Sequence, residues 1–275
     1  MLCFYTVSLI SRRRQEGMAA EDKIRLVLVT GVVALLFAGI TSLGYQQAYA
    51  DEDEDEATDD EADDYIPNKK TIKRVEQFCG RNASEFASIV VGTNGNDELN
   101  GTEASDLIVG LRGHDTIFGK GGDDCIISGK GDDKVWGGDG NDVVRAGQGN
   151  DMAVGDAGSD ALYGGKGNDS IYGGDGNDQL FGRAGDDLLA GDAGEDVANG
   201  GRGDDKMWGG DGNDQLYGKA GDDSLVGDSG NDSLAAGKGD DSLYDDVGDD
   251  LLDGGDGTDA GYDVVGTNTI VNCES

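Results

Sequence analysis

From Gly92 to Val271 the chain divides into twenty consecutive nine-residue units without one insertion or deletion. The unit is clearest in "GGKGNDSIY" and "GGDGNDQLF", which follow each other over residues 164 to 181. Position six is Asp in the first nineteen units and Asn268 in the last. Position four is Gly throughout, apart from Ala104. Position eight is mostly Leu, Ile, Val or Met, with Ala153 and Ala198 as smaller versions and Gly261 as a late exception. A single phase held over so many residues marks a solenoid, in which each repeat buries its apolar face only against its neighbours. A longer period lies on top of the first. "GGDGND" begins at 137, 173 and 209, with a degenerate copy, "DDVGDD", at 245. Duplication of a four-unit block explains that spacing.

The unit restricts its own geometry. Glycine favours positive φ and tight turns and is depleted in strands. The six Gly-rich residues are therefore expected to turn, and the last three, x-aliphatic-x, to form a short strand. Side chains alternate across a strand, so position eight points one way and its neighbours the other. Two units make one flattened coil of eighteen residues, each strand lying parallel to its equivalent two units later. The predicted fold is all-β, a parallel roll of about twenty nonads in ten coils, with position eight filling a thin core between two sheets.

That core is poor. Each modest side chain contributes roughly 1.5–3 kcal/mol at best, against roughly 1.5 kcal/mol for ordering every residue. Charge adds to the difficulty. The chain holds 57 acidic and 21 basic residues, a net charge of −36, which removes nucleic acid as a partner, since that needs a basic footprint. Stacked loops would set their Asp carboxylates about 5 Å apart, a repulsion of roughly 3–4 kcal/mol per pair. Divalent cations between the loops would turn the same groups into ligands. The candidate metal ligands are the position-six residues Asp97, Asp106, Asp115, Asp124, Asp133, Asp142, Asp151, Asp160, Asp169, Asp178, Asp187, Asp196, Asp205, Asp214, Asp223, Asp232, Asp241, Asp250 and Asp259. Carboxylates and loop carbonyls are hard oxygens in flexible turns, a set suited to calcium better than to magnesium. One His, His114, and no stacked Cys pair leave zinc and copper without ligands. Ten coils leave nine gaps on each side, so up to 18 calcium sites are expected, counted from the twenty units.

"GGDGNDQLF", "GGKGNDSIY" and "GGDGNDVVR" resemble the G-G-x-G-x-D-x-U-x nonapeptide of the RTX, or haemolysin-type, calcium-binding repeat family. The resemblance covers about two-thirds of the chain. It implies a right-handed parallel β-roll, calcium held between consecutive turns by the Asp and loop carbonyls, and folding on contact with extracellular calcium. The ends depart from the pattern. "GTEASD" at 101 lacks the glycines, "DDVGDD" at 245 has lost its leading pair, and "DVVGTN" at 263 has lost its Asp. The family often joins such rolls to proteases, lipases or pore-forming toxins. Here no catalytic order of Ser, His and Asp, no His-Glu-x-x-His and no phosphate loop occurs, and His114 occupies a position-five slot where other copies carry Asn or Asp. The chain reads as a binding protein and not an enzyme.

The amino-terminal residues read as an address. Arg12, Arg13, Arg14, Lys23 and Arg25 precede an uncharged, strongly apolar stretch ending in "AYA" at 48 to 50. This is the layout of a signal peptide over 1–50, cleaved after Ala50, with Met18 as a second candidate start. An uncleaved membrane anchor is the alternative. Either places the remainder in a secreted, extracellular or cell-surface setting. Residues 51–66 form an acidic, self-repelling linker, 67–91 an N-terminal cap, 92–271 the roll and 272–275 a tail. Cys79 and Cys125 are close enough in the expected order to be bridged or free, while Cys273 lies about ten coils away. Position nine carries Phe118, Trp136, Tyr172, Trp208, Tyr244 and Tyr262 along one face. Such a stripe is either a docking surface for cell-surface polysaccharide or another protein, or cross-strand packing. The function expected is extracellular calcium-dependent folding with a surface-structural or adhesive role. The alternatives are a soluble calcium buffer and a non-catalytic subunit of a secreted toxin or hydrolase.

Overall fold

The computed structural model describes residues 78–266 and 268–273; the expected signal segment or anchor, the acidic linker and the start of the cap fall outside them. Among the described residues, strands alternate between two parallel sheets. Eleven strands, from Ser88–Val91 to Thr269–Val271, make one sheet, and ten, from Glu98–Asn100 to Ala260–Val265, make the other. Each strand pairs with the strand eighteen residues on: Ile171 faces Leu189, and Tyr172 faces Ala190. The first sheet already starts at Ser88–Val91, which pairs with Asp106–Val109. No helix among the described residues is long and apolar enough to cross a membrane.

Position eight is the core. Ile117, Ile126, Leu162, Ile171, Leu180, Leu189, Met207, Leu216, Leu225, Leu234, Leu243 and Leu252 are all fully buried. They join the smaller Val135, Val144, Ala153 and Ala198 in one continuous column. The strand pattern places positions seven and nine half out of the core and position eight fully in it, as in Ser170–Asp175. Gly261 breaks the column, and the end of the chain compensates. A Cβ at Gly261 would meet Cys273 Sγ and Ile270 Cγ2, each 3.0 Å away.

The strands are longer than the sequence led us to expect. Most run for six residues, positions seven to nine and one to three, as in Gln179–Ala184. Two features let Gly-rich residues join the ladder. Pairing skips position one, where the chain turns a corner: Tyr172 and Gly174 have partners in the next coil, and Gly173 between them does not. Position two then takes a left-handed φ. Glycine reaches it readily, as at Gly165 with φ 119, but so do Lys120, Asp156, Arg183, Asp192, Lys219 and Asp228. The true turn is confined to positions four to six. There the position-four N–H donates to the position-three carbonyl of the next coil, as Gly176 does to Ala193 at 2.7 Å.

A small cap closes the amino-terminal end. Among its described residues is a 3-10 turn, Ala83–Glu85. Cys79 and Phe86 are buried against Leu107, Val109, Leu111 and Cys125. Cys79 and Cys125 form a disulfide with a Cα–Cα distance of 5.9 Å, which resolves the pairing that the sequence left open. Arg81 stacks its guanidinium 4.8 Å over the Phe86 ring and donates to the Asp123 carbonyl at 2.7 Å. The cap is thereby tied to the second coil.

Candidate metal centres

From Asp115 onward, each loop uses its position-six residue in the same way. One carboxylate oxygen reaches back one coil and accepts the N–H of the preceding position-six residue. Asp160 donates to Asp178 Oδ1, Asp178 to Asp196 Oδ1 and Asp196 to Asp214 Oδ1, each at 2.8 Å. The series runs from Asp97, donating to Asp115, to Asp250, donating to Asn268 Oδ1 at 2.8 Å. Asn268 therefore keeps the hydrogen bond and lacks the charge.

The second oxygen is the informative one. In every position-six Asp from Asp115 to Asp241, Oδ2 is buried and accepts no hydrogen bond. These side chains are at most 3% exposed. A buried carboxylate oxygen without a partner carries a desolvation cost that proteins otherwise avoid. Its effect is visible in the acidities. Burial, reinforced by neighbouring carboxylates and only partly offset by the N–H bond, pushes Asp142, Asp151 and Asp160 up to about 7, and Asp169 and Asp205 to about 8.

Other oxygens collect in the same gaps. A Cβ added at position one, as at Gly173, would run into Asp178 Oδ2 of its own loop and the Gly191 carbonyl of the next coil. At position two, Gly165 would strike the Gly147 carbonyl of the preceding coil; at position four, Gly176 would strike the Gly158 carbonyl. The regular gaps between stacked loops are thus lined by main-chain carbonyls and a carboxylate oxygen. Glycine at position four and small residues at most first positions keep that space open, while position two also admits residues such as Lys120 and Arg183. The chemistry is that of a hard, oxygen-seeking cation able to take many ligands, and calcium fits it.

The two amino-terminal loops differ. Asp97 Oδ2 accepts the Thr93 N–H at 2.6 Å and the Thr93 hydroxyl at 2.9 Å. Asp106 Oδ2 accepts the Thr102 N–H. Threonine at position two supplies a hydrogen to Oδ2 in both, while Asp106 keeps its other oxygen, Oδ1, buried and unpartnered. Loop 245–250 differs in another way: Asp245 stands at position one, fully buried, and its carboxylate lies beside those of Asp232 and Asp250. On sequence it was only a lost glycine.

A second ladder, on position five, went unread in the sequence. Asn and Asp side chains there accept the N–H of the position-five residue one coil ahead, opposite in sense to position six. Asn150 accepts from Asn168 at 2.8 Å, and Asp186 from Asp204 at 3.0 Å. His114 belongs to it, its Nδ1 accepting the Asp132 N–H at 2.8 Å. The recurrence of "GND" and "GDD" was the available signal. Asn168 and Asn231, which begin Asn-x-Ser triplets, are engaged in this ladder. On the outer faces, Phe118 stacks on Trp136 with centroids 4.9 Å apart, the cross-strand packing reading of the stripe. The opposite sheet carries a pair the sequence reading did not single out, Tyr163 on Phe181 at 4.8 Å.

A parallel β-roll with carbonyls and buried acidic oxygens gathered in every gap defines a cation-binding repeat protein. The RTX calcium-binding nonapeptide repeat model matches residues 91–126, 122–153, 154–189, 190–225 and 226–260. The chain belongs to that family, whose repeat is a structural calcium-binding unit. No curated protein matches the chain.

Proposed function

We propose that this protein is an extracellular or cell-surface calcium-binding roll that folds when calcium enters the gaps between its coils, and that it serves as a surface-structural or adhesive element. The observation that carries the reading is the column of buried Oδ2 atoms from Asp115 to Asp241 without hydrogen-bond partners. Bound calcium supplies positive charge and coordination to oxygens that otherwise have neither. Position-six carboxylates and the carbonyls of positions one, two and four would hold it. The position-six N–H bonds keep each carboxylate aimed into its gap. The regular loops from Asp115 to Asp241, with their orphaned oxygens, are stronger sites than the amino-terminal loop of Asp97. The carboxylate of Asp97, both of whose oxygens accept from Thr93, is the weakest, so fewer than the 18 geometric positions are expected to fill.

The extracellular setting is supported by the Cys79–Cys125 disulfide, since such bridges persist in oxidising compartments. The adhesive role draws on Trp208, which stands over a shallow groove lined by Ala190, Asp192, Asp211, Asp228 and Ser229. An aromatic plate beside carboxylates suits a polysaccharide ring with its hydroxyls. The test is a calcium titration of chelator-treated protein, followed by circular dichroism and calorimetry together. The expected result is a coil without calcium and a β spectrum at millimolar calcium, with many ions bound and magnesium failing to substitute. A full β signal persisting in excess chelator at neutral pH would falsify the mechanism.

A further inference from the structure

The loop at residues 245–250 departs from the repeat, and its departure is constructive. Position one is Gly, Ala or Ser in every loop before it. Here it is Asp245, whose side chain is 0% exposed although nothing apolar is gained by burying it. It occupies the gap facing loop 227–232. A Cβ at Gly227, position one of that loop, would lie 2.6 Å from Asp245 Oδ2 and 2.7 Å from Asp232 Oδ2. One carboxylate oxygen from each of Asp232, Asp245 and Asp250 lies within 4.8 Å of the others, and all three residues are buried. Asp232 gives an independent pointer to a ligand: it is 3% exposed, and its Oδ2, aimed into this cluster, accepts no hydrogen bond. The Asp246 N–H, donating to Asp245 Oδ1 at 2.8 Å, holds the added carboxylate in place.

We infer that Asp232, Asp245 and Asp250 make this one gap a cation site of higher ligand charge than the others, in which Asp245 contributes a side-chain carboxylate where the repeat has none. The inference rests on the calcium reading above and adds to it a ranking of sites. Three carboxylates raise the ligand charge over that of the other gaps, and ligand charge is a principal determinant of calcium affinity. This gap binds calcium about tenfold more tightly than the rest. It fills first as calcium rises and empties last as it falls.

The test uses the full chain in three forms: wild type, Asp245→Gly, which restores the residue of the repeat, and Asp245→Asn, which keeps volume and removes charge. Each is titrated with calcium against a chromophoric chelator, with circular dichroism reporting the fold at saturation. Wild type is expected to show one ion per chain in a tight class, and both variants are expected to lose that class while keeping the weaker ions and the β spectrum. Identical isotherms in all three forms, with calcium bound, overturn the Asp245 site and leave the calcium reading standing. A wild-type chain that takes up no calcium overturns the calcium reading, and this site with it.

Discussion

Stripping the protein of divalent ions and then lowering the pH should fold it. The reasoning starts from the acidities of the position-six Asp residues. Twelve of them, from Asp124 to Asp232, are raised to between about 6 and about 8, chiefly by burial. In an unfolded chain the same group titrates near 3.9. The roll therefore binds protons more tightly than the coil does. Its ion-free stability is fully present below about pH 4 and is lost as pH rises through about 7. For Asp151, at about 7, ionisation at pH 7.5 costs the ion-free roll ~4 kcal/mol, and at pH 5 only ~1.5 kcal/mol. Neighbouring carboxyls share protons, so the column returns far less than the sum. Two sites' worth, ~5 kcal/mol, still moves the folding equilibrium by nearly four orders of magnitude. The assay is circular dichroism of protein dialysed into metal-free buffer at pH 7.5, 6 and 5, all above the isoelectric point near 4.1. Coil at pH 7.5 and growing β signal toward pH 5 is expected, the reverse of ordinary acid denaturation. A coil spectrum at all three values would show that the orphaned carboxylates are not what opposes folding.

Two further outcomes follow from the core and the cap. Leu180→Ala, at a fully buried mid-roll position, should cost ~2–5 kcal/mol and raise the calcium concentration at the folding midpoint; an unmoved midpoint would mean that the position-eight column is not the core. Reducing the Cys79–Cys125 bridge, which spans 46 residues, should cost about 4 kcal/mol. Amide exchange should then speed up in the first coils, near Ser88–Lys130, and stay slow around Leu180 to Leu225; uniform loss along the roll would contradict the near-neighbour picture.

The fold was legible because its determinants are periodic. Position eight had to point inward, and the column from Ile108 to Leu252 does so. Position six had to bring carboxylates together, and the structure stacks them. What escaped the sequence is what periodicity does not encode. Glycine content suggested a six-residue turn, yet strands reach through positions one to three because position one leaves the ladder and position two adopts a left-handed φ, even as Arg183 or Lys219. Composition gave no direction to hydrogen bonds, so the forward ladder of Asn150 and Asp186 was invisible. Asp245 read as decay because one substituted glycine looks like noise until its carboxylate is seen buried beside two others.

The strict eighteen-residue register has a consequence for how such a molecule changes size. Each coil bonds only to the coil before and the coil after it, so excising residues 164–199 would join Tyr163 to Gly200 and leave a seam like any other. Unequal recombination between copies that share this register would then lengthen or shorten the roll in steps of roughly 10 Å, two coils at about 4.8 Å apiece. Reach becomes a heritable dial, set by copy number and needing no new surface to be invented.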